Sequence, residues 1–202
     1  MKYIIMADGK GQRWNNFQGI EKCQIQIGSQ TLLERTCNLI RQYDSAAEIY
    51  ITSHNPALCV EGAVRHEPQN NVLEIDRFTA ELIEKDICFL YGDVLYSENA
   101  LKTIISEPTD TVLTFGNSKK IFAIKVADDI LFRSHLQRVR EMFENGLLKE
   151  CIGWEVYHSL QNMPMETREI GANYIIIEDD TRDFNAPSDL LEYQEEKEKE
   201  NK

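Results

Sequence analysis

Seven apolar runs of strand length recur along this chain of 202 residues, and stretches with helical periodicity lie between several of them. The runs are YIIMA (3–7), IYITS (49–53), AVRH (63–66), ICFLY (87–91), TVLTF (111–115), IFAIKV (121–126) and NYIIIE (173–178). This alternation predicts an α/β fold with a mostly parallel, mixed sheet that is flanked by helices. The first and fourth runs are nearly all apolar, as expected for central strands that are covered on both faces.

Helical spacing of apolar residues is found in three stretches of the first half, 31–43, 78–85 and 98–106. The second half contains a longer stretch, 132–163, which predicts a small helical lobe. Because the strand-like run 173–178 follows this lobe and should return to the sheet, the lobe is interpreted as an insertion and not as a separate domain.

The length fits one domain that spans residues 1–194, and the charged segment 195–202 is expected to fray as a tail. The formal charge of −12 disfavours binding to nucleic acid or to an anionic membrane. A site for a small anion remains compatible with this charge, because only a few cations need to converge on it.

The five cysteines form no CxxC pair, which indicates free thiols in a reducing compartment and neither a zinc site nor a redox motif. The first apolar run is too short for a signal peptide, and no stretch reaches the roughly 20 apolar residues of a transmembrane helix. We therefore expect a cytoplasmic protein. The sequence does not fix its oligomeric state, and a homodimer is one option.

Two of the predicted strands end in polar loops. YIIMA continues into a glycine-rich loop from Asp8 to Arg13, and ICFLY continues into Gly92 and Asp93. Open parallel sheets bind ligands beyond the carboxyl ends of their strands. If the two strands are neighbours, a phosphate-binding loop and a carboxylate face the same crevice, which is the arrangement that a magnesium nucleotide needs.

Two familiar phosphate-binding loops do not fit the residues. A dinucleotide-binding fingerprint requires a third glycine at position 14, where the chain has Trp14. A P-loop requires Gly-Lys-Ser/Thr, which the loop lacks. What remains is a Gly-x-Gly-x-Arg loop, followed nine residues after Arg13 by Lys22.

Three segments in this order resemble the signature of the nucleotidyltransferases with a GT-A-like fold, which include the sugar-phosphate, phosphocholine and molybdopterin nucleotidyltransferases. The segments are MADGKGQRW with GIEKCQIQIGSQTLLERTCNLI (6–40), LYGDVLYS (90–97) and DFNAPSDLLEY (183–193). The resemblance covers nearly the whole chain and implies a Rossmann-like sheet of the GT-A type. The chain departs from the family pattern at Asp8, Gln12 and Glu21, where the family has a small residue, Ser or Thr, and Pro.

The resemblance implies an NTP-dependent nucleotidyltransferase. Such an enzyme transfers a nucleoside monophosphate to a small phosphorylated or phosphonate metabolite and releases pyrophosphate. The short chain resembles cytidylyltransferases and so favours CTP as the donor. Three alternatives stay open: guanylyl transfer to a molybdopterin-type cofactor, a GT-A glycosyltransferase that uses an NDP-sugar, and a non-catalytic nucleotide sensor. The expected partners are the nucleoside triphosphate and the acceptor.

The resemblance also implies roles for individual residues. Arg13 and Lys22 would be catalytic cations that bind phosphate oxygens and neutralise charge at the α-phosphate. Asp93 would bind Mg²⁺, with Asn185 as the second ligand and Asp183 as the runner-up. Residues implied to bind the nucleotide are Ala7, Asp8, Gly9, Lys10, Gly11, Gln12, Arg13 and Gly92. Trp154 and Glu155 are candidate acceptor contacts.

Structural roles are the alternatives at several of these positions. The two glycines of the loop could form a simple turn, and Arg13 and Lys22 could be solvated surface charges. Asp93 and Asn185 each precede a predicted helix and could cap it. Trp154 and Glu155 could be buried or solvated parts of the lobe.

Overall fold

The computed structural model describes residues 1–200 and contains a large sheet and two small two-stranded ladders. The strands are β1 (Lys2–Met6), β2 (Gln26–Ile27), β3 (Gln30–Thr31), β4 (Glu48–Thr52), β5 (Val64–His66), β6 (Ile87–Tyr91), β7 (Val94–Leu95), β8 (Val112–Gly116), β9 (Ile121–Val126), β10 (Tyr174–Ile176) and β11 (Arg182–Asp183). The helices are α1 (Leu32–Tyr43), α2 (Glu98–Ser106), α3 (Asp129–Glu144), α4 (Gly153–Gln161) and α5 (Pro187–Glu200).

The large sheet has seven strands in the order β10-β8-β9-β6-β1-β4-β5. The central strand β1 is parallel to both of its neighbours, β4 and β6. Only β9 runs antiparallel to its two neighbours, so β8 and β6 point the same way. Each of the seven apolar runs forms one of these strands, and the prediction of a mostly parallel, mixed sheet flanked by helices is confirmed.

Side chains of the sheet alternate between two cores, which explains why its central runs are so apolar. In β1, Tyr3 and Ile5 pack with α1 and α2, whereas Ile4 and Met6 pack on the opposite face with α3 and α4. All four of these side chains are buried. The helices of the predicted lobe therefore lie against the sheet and cover one of its faces.

The stretch 78–85 does not form the predicted helix. Two short 3₁₀ turns are found here, Glu74–Phe78, which ends where the stretch begins, and Ala80–Leu82, and they meet at Thr79 with a φ of 29°. Phe78 and Ile83 are both buried in the core beneath α3. Burial of these two side chains on one face overrides the local helical spacing.

The last helix, α5, and the segment before it pack against the loop that follows β1. Trp14, Phe184 and Leu190 are buried together, and the indole N–H of Trp14 donates a hydrogen bond to Ile20 O at 2.8 Å. The helix α5 continues to Glu200, so residues 195–200 of the predicted tail are helical. Residues 201–202 of that tail lie outside the described residues. Within residues 1–200, no helix has the length and apolar character needed to cross a membrane.

Asp76 fixes the segment between β5 and β6. Its carboxylate accepts hydrogen bonds from the backbone N–H groups of Val72 and Leu73, at 2.8 and 2.7 Å, and from the guanidinium of Arg140 on α3. Burial alone would raise the pKa of Asp76, but the Leu73 N–H, the Arg140 guanidinium and the Val72 N–H together hold it below its ordinary value.

Replacing this carboxylate should reduce stability in a pH-dependent way. Because the folded-state pKa lies below the unfolded one, ionised Asp76 stabilises the fold above about pH 4, and this contribution is lost as the pH falls further. Asp76→Asn should lower the free energy of unfolding by about 1–3 kcal/mol at neutral pH. Urea titrations should show the difference from wild type narrowing at about pH 3. An equal deficit at both pH values, or the same loss in the exposed control Asp110→Asn, would contradict this role.

Candidate active site

The glycine-rich loop begins where β1 and β6 end side by side. Gly92 N–H donates a hydrogen bond to Met6 O at 3.1 Å. A Cβ atom on Gly92 would lie 2.9 Å from that oxygen and 3.2 Å from Ala7 Cα. The position therefore requires glycine, and the close contact places the loop after β1 directly beside Asp93.

Lys22 and Asp93 form an ion pair in the crevice. The Nζ atom of Lys22 lies 2.8 Å from Asp93 Oδ2, although the two residues are 71 positions apart in the sequence. Their side chains are 17% and 20% exposed, so the pair is only partly screened by water. Asp93 does not cap the following helix, since Ser97 accepts the N–H of Ala100 at the start of α2.

The closing segment adds polar side chains to the same corner. Phe184 N–H donates to Asp93 O at 2.9 Å, and β11 pairs with β7, which begins directly after Asp93. Asn185 donates through its amide to the carboxylate of Asp183 and accepts from Arg13 Nη2 at 3.0 Å. At the start of α5 the carboxylate of Asp189 accepts the N–H groups of Asn185 and Ala186, at 2.7 and 2.8 Å, so the Asn185 side-chain oxygen is directed to Arg13 and not to this turn.

One open cavity of about 760 Å³ at the carboxyl ends of the parallel strands is lined by Arg13, Lys22, Asp93, Asp183 and Asn185. Seven basic side chains line it, namely Lys10, Arg13, Lys22, Arg77, Lys119, Lys120 and Arg168. Four acidic side chains line it, namely Glu74, Asp93, Glu150 and Asp183. The cavity thus has a basic surplus in a chain whose formal charge is −12, which makes it suited to a polyanionic ligand.

A smaller hollow of about 220 Å³ adjoins the cavity and is lined by several of the residues predicted to bind the nucleotide. Lys10 and Gly11 line both spaces, Gln12 and Arg13 line the large cavity, and Ala7, Gly9 and Gly92 line the small hollow. Trp154 also lines the large cavity. Glu155 lines neither space: its side chain is fully buried and accepts the N–H of Glu166 at 3.0 Å.

Asp8 departs from the family pattern, and it lines neither space. It accepts from His54 N–H at 2.8 Å and from the Asn71 amide at 2.6 Å, and lies 2.7 Å from His54 Nδ1. Asp8 therefore ties the glycine loop to the loops that follow β4 and β5. Glu21, another departure, accepts from the Asn55 amide at 2.7 Å and so ties the Lys22 turn to the same region.

The donor atoms in the corner fit a magnesium ion. Asp93 and Asp183 offer carboxylate oxygens and Asn185 offers an amide oxygen, all of them hard ligands. Within residues 1–200, no group of three or more His, Cys, Asp or Glu side chains could hold a metal. A site with two carboxylates suits Mg²⁺, which keeps several waters and shares phosphate oxygens. The two carboxylates are held by Lys22 and by Lys120, whose Nζ lies 2.9 Å from Asp183.

Sequence reasoning missed four basic residues of the cavity. Lys119 and Lys120 lie in the turn between β8 and β9, at the carboxyl end of a strand that points the same way as β6. That position was an available signal, because open parallel sheets generally bind ligands beyond the carboxyl ends of their strands. Arg77 lies in the segment before β6, in the first of the two 3₁₀ turns. Arg168 follows α4 in an irregular segment that no pattern marked.

Comparison with solved structures shows which known proteins share this fold. The sequence matches no protein-family model and no curated protein. CTP:phosphocholine cytidylyltransferase from Streptococcus pneumoniae shares 10% identity over 96% of this chain and 97% of that one, with a TM-score of 0.55. Inositol-1-phosphate CTP transferase from T. maritima shares 16% identity over 94% of this chain and 91% of that one, with a TM-score of 0.53. 2-C-methyl-D-erythritol 4-phosphate cytidylyltransferase from Thermus thermophilus shares 16% identity over 94% of this chain and 95% of that one, with a TM-score of 0.58. At these identities the similarity establishes a shared fold, the one that the sequence resemblance implied.

The Asp8 tether should be visible in hydrogen exchange. In Asp8→Ala the backbone N–H of His54 loses its acceptor, so this amide should exchange faster while the amides of β1 and β4 keep their protection. The free energy of unfolding should fall by roughly 1–3 kcal/mol. Asp8→Asn, which keeps an oxygen acceptor at this place, should retain most of the protection. Unchanged exchange at His54 in Asp8→Ala would show that the carboxylate does not hold this loop.

Proposed function

We propose that this chain is a nucleotidyltransferase that transfers a nucleoside monophosphate to a small phosphorylated or phosphonate acceptor and releases pyrophosphate. The observation that carries the proposal is the convergence of Arg13, Lys22, Asp93 and Asn185 on one cavity. These residues come from three segments that are distant in the sequence. A set of unrelated surface charges would have no reason to meet at the carboxyl edge of the sheet.

The binding of two polyanions explains why cations outnumber carboxylates in the cavity. The nucleophile, a phosphate oxygen, is already ionised at neutral pH, so the protein has to supply positive charge more than a general base. Backbone N–H groups of the glycine loop donate to the triphosphate, and Arg13 offers a planar fork of N–H groups to phosphate oxygens. Lys22 supplies charge at the α-phosphate, where negative charge develops in the transition state.

The ion pair with Asp93 has a further consequence for Lys22. Because the lysine is held in the crevice before any ligand binds, less side-chain entropy is lost when it contacts a phosphate. Mg²⁺ bound by Asp93, with Asn185 and Asp183 as candidate partners, would supply charge to the phosphate oxygens and to the leaving group. A pair of oxygen ligands from the protein is enough for this ion, which takes the others from phosphate and water.

CTP is the proposed donor, because the fold neighbours named above are cytidylyltransferases or CTP transferases by name. Guanylyl transfer to a pterin cofactor differs in both substrates, and a comparison of the four nucleoside triphosphates separates the two. A GT-A glycosyltransferase would carry a carboxylate pair around one residue after a central strand, whereas the second carboxylate here is Asp183 on β11. A non-catalytic sensor would bind the nucleotide without releasing pyrophosphate.

Removal of either charge in the central ion pair should slow turnover. We expect Lys22→Ala and Asp93→Ala each to reduce kcat/KM by about 10²-fold or more, as the loss of a preorganised charge contact does. The measurement is pyrophosphate release from each nucleoside triphosphate with magnesium and a panel of phosphorylated sugars, polyols, amino alcohols and phosphonates.

Matched controls are Lys102→Ala and Asp110→Ala, which remove the same charges from exposed positions that line neither the large cavity nor the small hollow. They should keep wild-type turnover. Near wild-type turnover in a folded Lys22→Ala or Asp93→Ala variant would contradict the role of that residue. Intact binding of nucleotide without pyrophosphate release across the whole panel would favour the sensor.

A further inference from the structure

One wall of the large cavity is formed by residues at the start of α4 and in the segments on either side of this helix. Arg168 reaches the cavity from the segment after α4, and its guanidinium carbon lies 5.6 Å from the centre of the Trp154 ring. Trp154 in turn stacks on Tyr174, at 5.8 Å between ring centres and 14° between planes. The Tyr174 hydroxyl lies 2.8 Å from Asn117 O and 3.0 Å from Lys120 O, so its single proton is shared between these two acceptors. The wall is therefore continuous with the turn that carries Lys120.

Two carboxylates fix the guanidinium of Arg168. Glu150 Oε2 accepts from Nη2 at 3.2 Å at the cavity surface. From below, Glu155 Oε1 lies 3.8 Å from Nη1. The Glu155 side chain is 0% exposed, and this oxygen has no hydrogen-bond partner. A buried carboxylate is costly unless a positive charge lies near it, so Glu155 favours an Arg168 that stays in this place.

The chemistry of this wall selects among phosphorylated acceptors. A second hydrogen bond of Arg168 goes to the carbonyl of Thr167 at 3.1 Å, so three of its five N–H groups remain for a ligand. Glu150 offers a neighbouring oxygen acceptor. A hydroxyl group both donates and accepts, and a guanidinium beside a carboxylate matches two adjacent hydroxyls.

A cationic acceptor fits this wall poorly. Ammonium and trimethylammonium groups are commonly bound over open aromatic faces. Trp154 is only 6% exposed, and the cation of Arg168 already lies over its ring. An ammonium group would also lie near Lys119, Lys120 and Arg168, which line the same cavity.

We propose that Arg168, with Glu150, binds hydroxyl groups of the acceptor, so that the acceptor is a phosphorylated polyol or sugar and not a phosphorylated amino alcohol. Glu155 acts as a positioning residue that holds Arg168. This inference rests on the proposed nucleotidyl transfer and names the acceptor class of the same cavity.

The test compares acceptors that carry the same phosphate on different bodies. Pyrophosphate release is measured with glycerol 3-phosphate and a set of hexose and polyol phosphates, against O-phosphoethanolamine and phosphocholine. The wild-type protein should use its best hydroxylated acceptor with a kcat/KM at least about 10-fold above that of either amino alcohol phosphate, as expected for a charge-assisted hydrogen bond. Nucleotide affinity is measured separately by calorimetry.

Variants test the residues. Arg168→Ala should raise the KM for the hydroxylated acceptor by about 10- to 100-fold and leave the affinity for the nucleotide unchanged. Arg168→Lys keeps the charge but loses the fork of donors, and should recover only part of the loss. Glu155→Gln keeps an acceptor for Glu166 N–H, and should raise the acceptor KM with little change in kcat. The control Arg138→Ala, on the exposed side of α3, should behave as wild type.

The outcomes separate this inference from the proposed function. Greater efficiency with an amino alcohol phosphate, or an unchanged acceptor KM in Arg168→Ala, would overturn the acceptor assignment and leave nucleotidyl transfer in place. An equal loss of nucleotide affinity in Arg168→Ala would also overturn it, because the residue would then act on the whole cavity. Absence of pyrophosphate release with every acceptor, at intact nucleotide binding, would overturn both.

Discussion

The site depends on one close contact between the ends of two parallel strands. Gly92 N–H donates to Met6 O, and the space between the two backbones has no room for a side chain. This contact brings the glycine-rich loop and Asp93 together, although 85 positions separate Asp8 from Asp93. The side chains of Lys22, Arg13 and Asn185 then reach the same corner from loops that are held by their own buried anchors. Trp14 and Phe184 are the main examples, since they pack together beneath the loop and the closing segment.

The second constraint is electrostatic. An acidic protein can bind a polyanion only where cations are concentrated, and the cavity achieves this with seven basic side chains. Carboxylates accompany several of them: Asp93 holds Lys22, Asp183 holds Lys120, and Glu150 with Glu155 holds Arg168. These pairs locate the cations before a ligand arrives. The departures from the family pattern tie loops of the site together. Asp8 bonds to His54 and to Asn71, which lines the large cavity, and Glu21 lines the small hollow and bonds to Asn55.

The sequence predicted most of the sheet and part of the site. The seven strands of the large sheet were recognisable as short apolar runs, the central ones most clearly because they are apolar on both faces, and α1 and α2 showed clear helical spacing. The segment 78–85 was wrongly predicted to be a helix. Its apolar residues show helical spacing, but Phe78 and Ile83 pack into the core beneath α3, which is distant in the sequence. Arg77, Lys119, Lys120 and Arg168 were missed for a related reason. Their positions in the cavity depend on tertiary packing. Lys119 and Lys120 follow a strand end, which was a usable signal, but a basic residue in an irregular segment such as that of Arg168 has no periodicity that distinguishes it from a surface charge.

The central claim is that a bond at the α-phosphorus is exchanged between a nucleotide and a phosphorylated acceptor. The most direct measurement follows label from CTP that carries ³²P in either the α or the γ position, with magnesium and the preferred acceptor. The account predicts that α-label appears in a new conjugate with the acceptor and that γ-label appears only in pyrophosphate. Release of γ-label as inorganic phosphate, or α-label that remains in CTP while the nucleotide is bound, would contradict it.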